Sequence, residues 1–317
     1  MNWRQTWGQV ETDAGVYDFS SFDKVLAAIA SSKNKACQLW LFIEWKSFAA
    51  SPVKNPCPAY LQKDYSVPNS GGSGAMTCAL WEPTVRDAYA KMIAAAGARY
   101  DLNPRVEGLT FEESATSLDG KYPPPPSYSA ATYRDALIAL IDQCDKSFPH
   151  SRCLSFLNFL EGGQQYLYDI SAALEKVPND RGCFGGPDLL PGNSTLYLDN
   201  NRVYEVLMRH TGCRSNSAQN DSFDDPNCTI GGVPTLQCIF NFAVRGTFGD
   251  FNDGVRTLPG PRDPRSGVCV NSYLFWNNRT AAAPHTGFTV SDALKVVNAN
   301  PYGVGWYGQC VDGGQAP

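Results

Sequence analysis

The chain has 317 residues, 43% of them hydrophobic, which suits one large globular domain or two small ones. Its net charge of −5 gives no electrostatic case for nucleic acid or an anionic membrane as partner, and no apolar run approaches the roughly 18 residues of a membrane span. From the start, Trp3, Trp7 and Gly15–Phe19 come without a run-in. Ser20 or Ser21 is then expected to cap a helix whose buried stripe is Phe22, Val25, Leu26 and Ile29. Ala36–Ile43 is a continuous apolar run, typical of a parallel strand covered on both faces, with Glu44 and Trp45 at its C-terminal end. Residues 46–80 are rich in Pro, Gly and Ser and read as a long surface excursion.

Pro83, at an allowed first-turn position, opens a helix with Val85, Tyr89, Met92, Ile93 and Ala96 inward. Arg105–Ser114 follows as a short buried strand, in which Val106, Leu109 and Phe111 are apolar and Gly108 permits close packing. The strand ends in two adjacent carboxylates, Glu112 and Glu113. Residues 115–128, with four consecutive prolines, form a loop. A helix from Ser129 turns Tyr133, Leu137, Leu140, Ile141 and Cys144 inward. Cys153–Leu160 is the next strand, tipped by Glu161. A short helix spans about Tyr168–Lys176, and a strand from Gly182 ends in a tight turn that presents Asp188. A helix around Val203–His210, a Cys- and Asn-rich loop at 211–233, strands at Pro234–Val244 and Ser272–Trp276, and a helix around Ser291–Asn298 lead to a Gly-rich tail with Trp306.

Strands alternate with helices, and the loops after strands are the long ones. That order argues a parallel α/β sheet of the barrel kind, one domain over 1–317. No phosphate-binding glycine pattern opens a helix, which disfavours a doubly wound nucleotide fold. The eleven cysteines form no CxxC pairs, and none sits near His at zinc-finger spacing, so no metal or other cofactor is expected. Most lie in or beside loops, where disulfides in an oxidising compartment are expected; Cys57 with Cys78 and Cys213 with Cys228 are candidate staples. Sequons start at Asn193, Asn220, Asn227 and Asn278. The three histidines are dispersed, against a Ser-His-Asp triad.

The stretch Trp3-x-x-x-Trp7-x-x-Val10-Glu11-x-x-x-Gly15-x-Tyr17-Asp18-Phe19, followed by Phe22-Asp23, resembles glycoside hydrolases built on the (β/α)8, TIM-type barrel. The resemblance implies that this element follows the second strand, that Gln38–Ile43 is the third, and that the fourth ends in the acid/base Glu. Phe111-Glu112-Glu113-Ser114 falls where such enzymes often have Asn-Glu-Pro. Glu113 is thereby implied as general acid/base, with Glu112 at the Asn position, which binds a sugar hydroxyl.

The chain departs from that pattern in two further ways. Leu236–Phe242, where the seventh strand should carry the nucleophile, holds no carboxylate. The first strand, first helix and second strand are expected to be missing: the barrel is incomplete, the chain is a fragment, or a homo-oligomer closes the gap.

Glycoside hydrolysis needs two carboxylates, about 5 Å apart for retention and roughly 6.5–9.5 Å for inversion. The partner of Glu113 is expected to be Asp188, then Glu44, then Glu161. Trp45, Trp276 and Trp306, with Trp3, Trp7 and Trp40 behind them, are candidate sugar platforms; Asn158 and Gln164 are candidate hydroxyl binders. The expectation is a secreted glycosidase acting on a β-linked polysaccharide or oligosaccharide, with no nucleic acid and no membrane as partner. A carbohydrate-binding barrel without catalysis, and more distantly a polysaccharide lyase, are the alternatives.

Overall fold

In a computed structural model of the chain, the described residues are 2–32, 38–48, 51–118, 121–161, 163–186, 213–218, 229–230, 233–234 and 271–276. The chain divides into two compact units, Met1–Cys183 and Phe184–Pro317.

The first unit opens with strand β1 (Asn2–Thr6), a one-turn helix α1 (Trp7–Val10) and a small hairpin of β2 (Glu11–Asp13) and β3 (Val16–Tyr17). Helix α2 (Ser20–Ser31) and strand β4 (Leu39–Glu44) follow. Next come α3 (Ala59–Tyr65) and a hairpin of β5 (Ser66–Pro68) and β6 (Met76–Cys78). The rest of the unit is α4 (Pro83–Tyr100), β7 (Val106–Phe111), α5 (Ala130–Ser147), β8 (Arg152–Phe156), α6 (Gln164–Glu175) and the first two residues of β9 (Gly182–Gly186). The strands lie side by side in the order β1-β4-β7-β8-β9, and β1, β4, β7 and β8 are paired in parallel. In the second unit, β11 (Thr229–Ile230) pairs antiparallel with β12 (Val233–Pro234), and β10 (Cys213–Ala218) pairs in parallel with β13 (Asn271–Trp276). No helix among the described residues is long and apolar enough to cross a membrane.

The apolar run Leu39–Ile43 is buried throughout, as expected of a strand covered on both faces. Each such side chain contributes about 1.5–3 kcal/mol by leaving water. Gly108 lets β7 approach β8 closely: a Cβ there would lie 2.1 Å from the carbonyl oxygen of Arg152. Gly97 does the same between α4 and the end of α5, where a Cβ would meet the Ser147 carbonyl at 2.2 Å. Ser129 caps α5 by accepting from Thr132 N.

Several expectations change. Asn2–Thr6 is a strand, in register with Trp40–Glu44. The place given to a missing second strand is therefore filled. Neither Ser20 nor Ser21 caps α2; Asp18 Oδ1 accepts from Ser20 N, and this bond holds the Asp18 carboxyl below its ordinary pKa. The excursion at 46–80 has structure of its own, α3 and the β5–β6 hairpin, stapled by the Cys57–Cys78 disulfide. Cys144, expected on a buried helix face, is joined to Cys153, tying α5 to the strand that follows it. The expected elements at Val203–His210, Pro234–Val244 and Ser291–Asn298, and the Cys213–Cys228 pairing, fall wholly or largely outside the described residues.

Candidate active site

The C-terminal ends of β1, β4 and β7 lie in register, with Thr6 beside Glu44 and Phe42 beside Thr110. Alternation along a strand carries each face forward two residues at a time, from Phe42 to Glu44 and from Thr110 to Glu112. Arg4 belongs to the same face: its guanidinium lies 4.4 Å from the Phe42 ring centre and donates to Glu44 Oε1 at 3.2 Å. Burial raises the Glu44 carboxyl above its ordinary pKa, against the pull of Arg4 and Lys46.

Glu112 is 4% exposed. Its Oε1 accepts from the backbone N of Glu113 at 3.1 Å, while Oε2 meets no hydrogen-bond partner among the described residues. Burial, and next the charge of Glu44, push its pKa up to about 8; Lys46 and Arg4 act the other way. At neutral pH Glu112 therefore keeps its proton.

Glu113 sits in different surroundings. Lys46 Nζ donates to its Oε1 at 2.5 Å, and Asn158 Nδ2 donates to its Oε2 at 2.8 Å. Lys46 comes just after β4 and Asn158 just after β8, so the strand order brings both to the end of β7. The Lys46 side chain is 0% exposed and that of Glu113 is 14% exposed. The cluster thus joins a buried ion pair to a neighbouring carboxyl that holds a proton.

The sequence-expected residues divide. Glu44, Glu112, Glu113 and Asn158 come together. Trp45 is fully buried and packs edge-on against Tyr89 and beside Phe111. Trp7 is also fully buried, edge-on to Tyr89. Both were expected as sugar platforms; core packing replaces that role, because neither ring has an open face. Trp40 is buried too. Trp3 is partly exposed, its Nε1 bonded to Ser21 Oγ at the start of α2. Glu161 accepts from Thr116 Oγ1 and Tyr128 OH, holding the proline-bearing loop. Gln164, the first residue of α6, accepts from Tyr168 OH. Asp188 and Trp306 lie outside the described residues, as does the Trp276 side chain.

Lys46 and Arg4 were missed from sequence. The one available signal was the placement of Lys46 two residues beyond a strand that ends in Glu44.

No protein-family model and no curated protein matches the sequence. Solved structures do. GH5_18 from Streptomyces cattleya in complex with GlcNAc aligns with a TM-score of 0.54 at 10% identity, over 94% of this chain and 70% of that one. A variant of GH5_18 from Streptomyces cattleya in complex with Manb1-4GlcNAc aligns with a TM-score of 0.50 at 12% identity, over 92% and 69%. The fold is an α/β TIM-type barrel. In such barrels the C-terminal strand ends carry the catalytic groups, and that is the end at which Glu44, Glu112 and Glu113 lie.

Proposed function

We propose that this chain is a glycoside hydrolase that cleaves β-linked oligosaccharides or polysaccharides by carboxylate acid/base catalysis. The observation that carries the reading is the adjacent pair Glu112–Glu113 at a barrel strand end, with the two carboxyls in opposed surroundings. Neighbouring titratable groups whose environments are driven apart are how one site holds separate roles at a single pH.

In this reading Glu113, the more exposed of the two, is the carboxyl that protonates the leaving oxygen. Asn158 and Lys46 fix its plane by holding one oxygen each. Glu112 does the work of an amide. A protonated carboxyl has one donor and one acceptor, much like a glutamine side chain. It can therefore bind a sugar hydroxyl through Oε2 without placing a second negative charge beside Glu113. Asp188 and Glu44 are the candidates for the second carboxylate; Glu44 is tied to Arg4, which favours Asp188. Trp276 and Trp306, and less so Trp3, remain candidate sugar contacts. The Cys57–Cys78 and Cys144–Cys153 disulfides suit secretion.

One sequence feature favours a binding barrel without catalysis: the run Leu236–Phe242 has no acid. Reducing-sugar release from a panel of β-glycans, including Manβ1-4GlcNAc, separates the readings. Turnover by the wild type that Glu113→Gln abolishes supports the hydrolase. Binding without turnover supports the alternative.

A further inference from the structure

Two cations stand among the acids of the site, and they differ in reach. The Lys46 side chain is 0% exposed and is engaged by Glu113 and the carbonyl oxygen of Ala115. The Arg4 side chain is 42% exposed, against 13% for the Glu44 that it meets. An ion pair open to solvent adds little to stability, so folding alone gives slight reason for an arginine here. Its position is nevertheless fixed twice. The guanidinium lies over the Phe42 ring, and Nη1 donates to Glu44 Oε1. Held in this way, it has little side-chain freedom left to lose when a ligand arrives. Among the described residues Nη1 alone is engaged, which leaves the edge formed by Nε and Nη2 open. That edge is a planar fork that takes a carboxylate through two parallel hydrogen bonds.

Bare acids would repel an anionic ligand. Here Glu113 is paired with Lys46, Glu44 is paired with Arg4, and Glu112 keeps its proton at neutral pH. The three acids at the ends of β4 and β7 therefore present no unpaired negative charge. The charge of Arg4 bears on Glu112 as well as on Glu44, which places it beside the oxygen assigned above to a sugar hydroxyl. We propose that Arg4 is a specificity-determining residue, which binds the carboxylate of a uronic-acid residue in the β-linked substrate. The inference deepens the glycan reading of this site and rests on it.

The test is calorimetric titration of the full chain with thio-linked oligosaccharides, which bind without being cleaved. The probes are β1-4-linked oligoglucuronate and oligomannuronate, each against its carboxyl-reduced counterpart. The wild type, which needs no variant to fold, is expected to bind at least one uronate about 10–100-fold more tightly than the neutral counterpart. Added salt should shrink that preference. Arg4→Gln should abolish it, and Arg4→Lys, which keeps the charge and loses the fork, should retain only part of it. Arg4→Gln also frees Glu44, so the double variant Arg4→Gln with Glu44→Gln is the control, and in it the preference should stay lost. No preference for either uronate in the wild type overturns the role of Arg4. So does a preference that survives Arg4→Gln or returns in the double variant. The O-linked forms separate this inference from the reading beneath it. An Arg4-dependent preference with no turnover of the bound uronate overturns the hydrolase reading and leaves the binding role of Arg4 standing. Turnover without any such preference does the reverse.

Discussion

Glu11 and Glu112 are both buried acids beside the sheet, and they have opposite surroundings. Glu11 Oε2 accepts from Trp7 Nε1 at 2.6 Å; Oε1 accepts from Tyr60 OH at 2.8 Å and from Gly15 N at 2.9 Å. Every contact is a donor, and the residues it joins are α1, the tip of the β2–β3 hairpin and α3. Glu112 has one backbone donor, one oxygen without a partner, and carboxylate neighbours in Glu44 and Glu113. A buried acid is not by itself a mark of chemistry. A saturated one is a fastening, and one whose second oxygen is left open beside other acids is a candidate site. The Trp7…Glu11…Gly15 element, which carries the resemblance to sugar-cleaving barrels, proves to be the fastening.

This contrast can be broken in four places. The largest effect is expected at Glu113: Glu113→Gln should lower kcat by about 10²–10⁴-fold with little change in KM, read by steady-state hydrolysis. Next is Glu11→Ala, which strands three donors and should cost about 3–4 kcal/mol in chemical denaturation. Activity per folded molecule should stay at the wild-type level; a selective loss of activity with stability intact would mean that the fastening had been misread. Removing the Cys57–Cys78 staple by Cys57→Ser with Cys78→Ser should cost about 2–4 kcal/mol, seen as a lower Tm.

Of the two acids at the strand end, Glu112 is expected to show the smaller effect on turnover: Glu112→Gln swaps one neutral donor–acceptor group for another and should keep most activity at acid pH. Its signature lies in stability. A carboxyl whose pKa is raised on folding holds its proton where the unfolded chain has lost it. Stability therefore falls as pH rises from the ordinary glutamate range to about 8. Glu112→Gln should remove that decline, so its stability advantage over wild type should grow across the interval and level off above it.

Much of the framework was legible in sequence because it rests on periodic burial. The stripe Val85, Tyr89, Met92, Ile93 and Ala96 lies on α4 as expected, and Ser129 caps α5. The Cys57–Cys78 staple was legible because both residues bound one excursion. Asn2–Thr6 was not: an edge strand mixing Trp with Asn, Arg, Gln and Thr shows no apolar run, and only its pairing with β4 reveals it. Trp45 misled because a strand-end aromatic packs inward or outward under the same pattern. The acids at Glu112 and Glu113 could be found from the strand they end. Their environments could not, since Lys46 and Asn158 reach them from 67 and 45 residues away in the chain.

The central claim is that Glu113 protonates a glycosidic oxygen. The most direct measurement is the rate of hydrolysis by wild type and Glu113→Gln on a β-glycoside with a good leaving group and on the matched substrate with a poor one. An acid catalyst matters most where the leaving group needs the proton. The account predicts a large loss in Glu113→Gln on the poor leaving group and a much smaller loss on the good one. Equal losses on both substrates would contradict it.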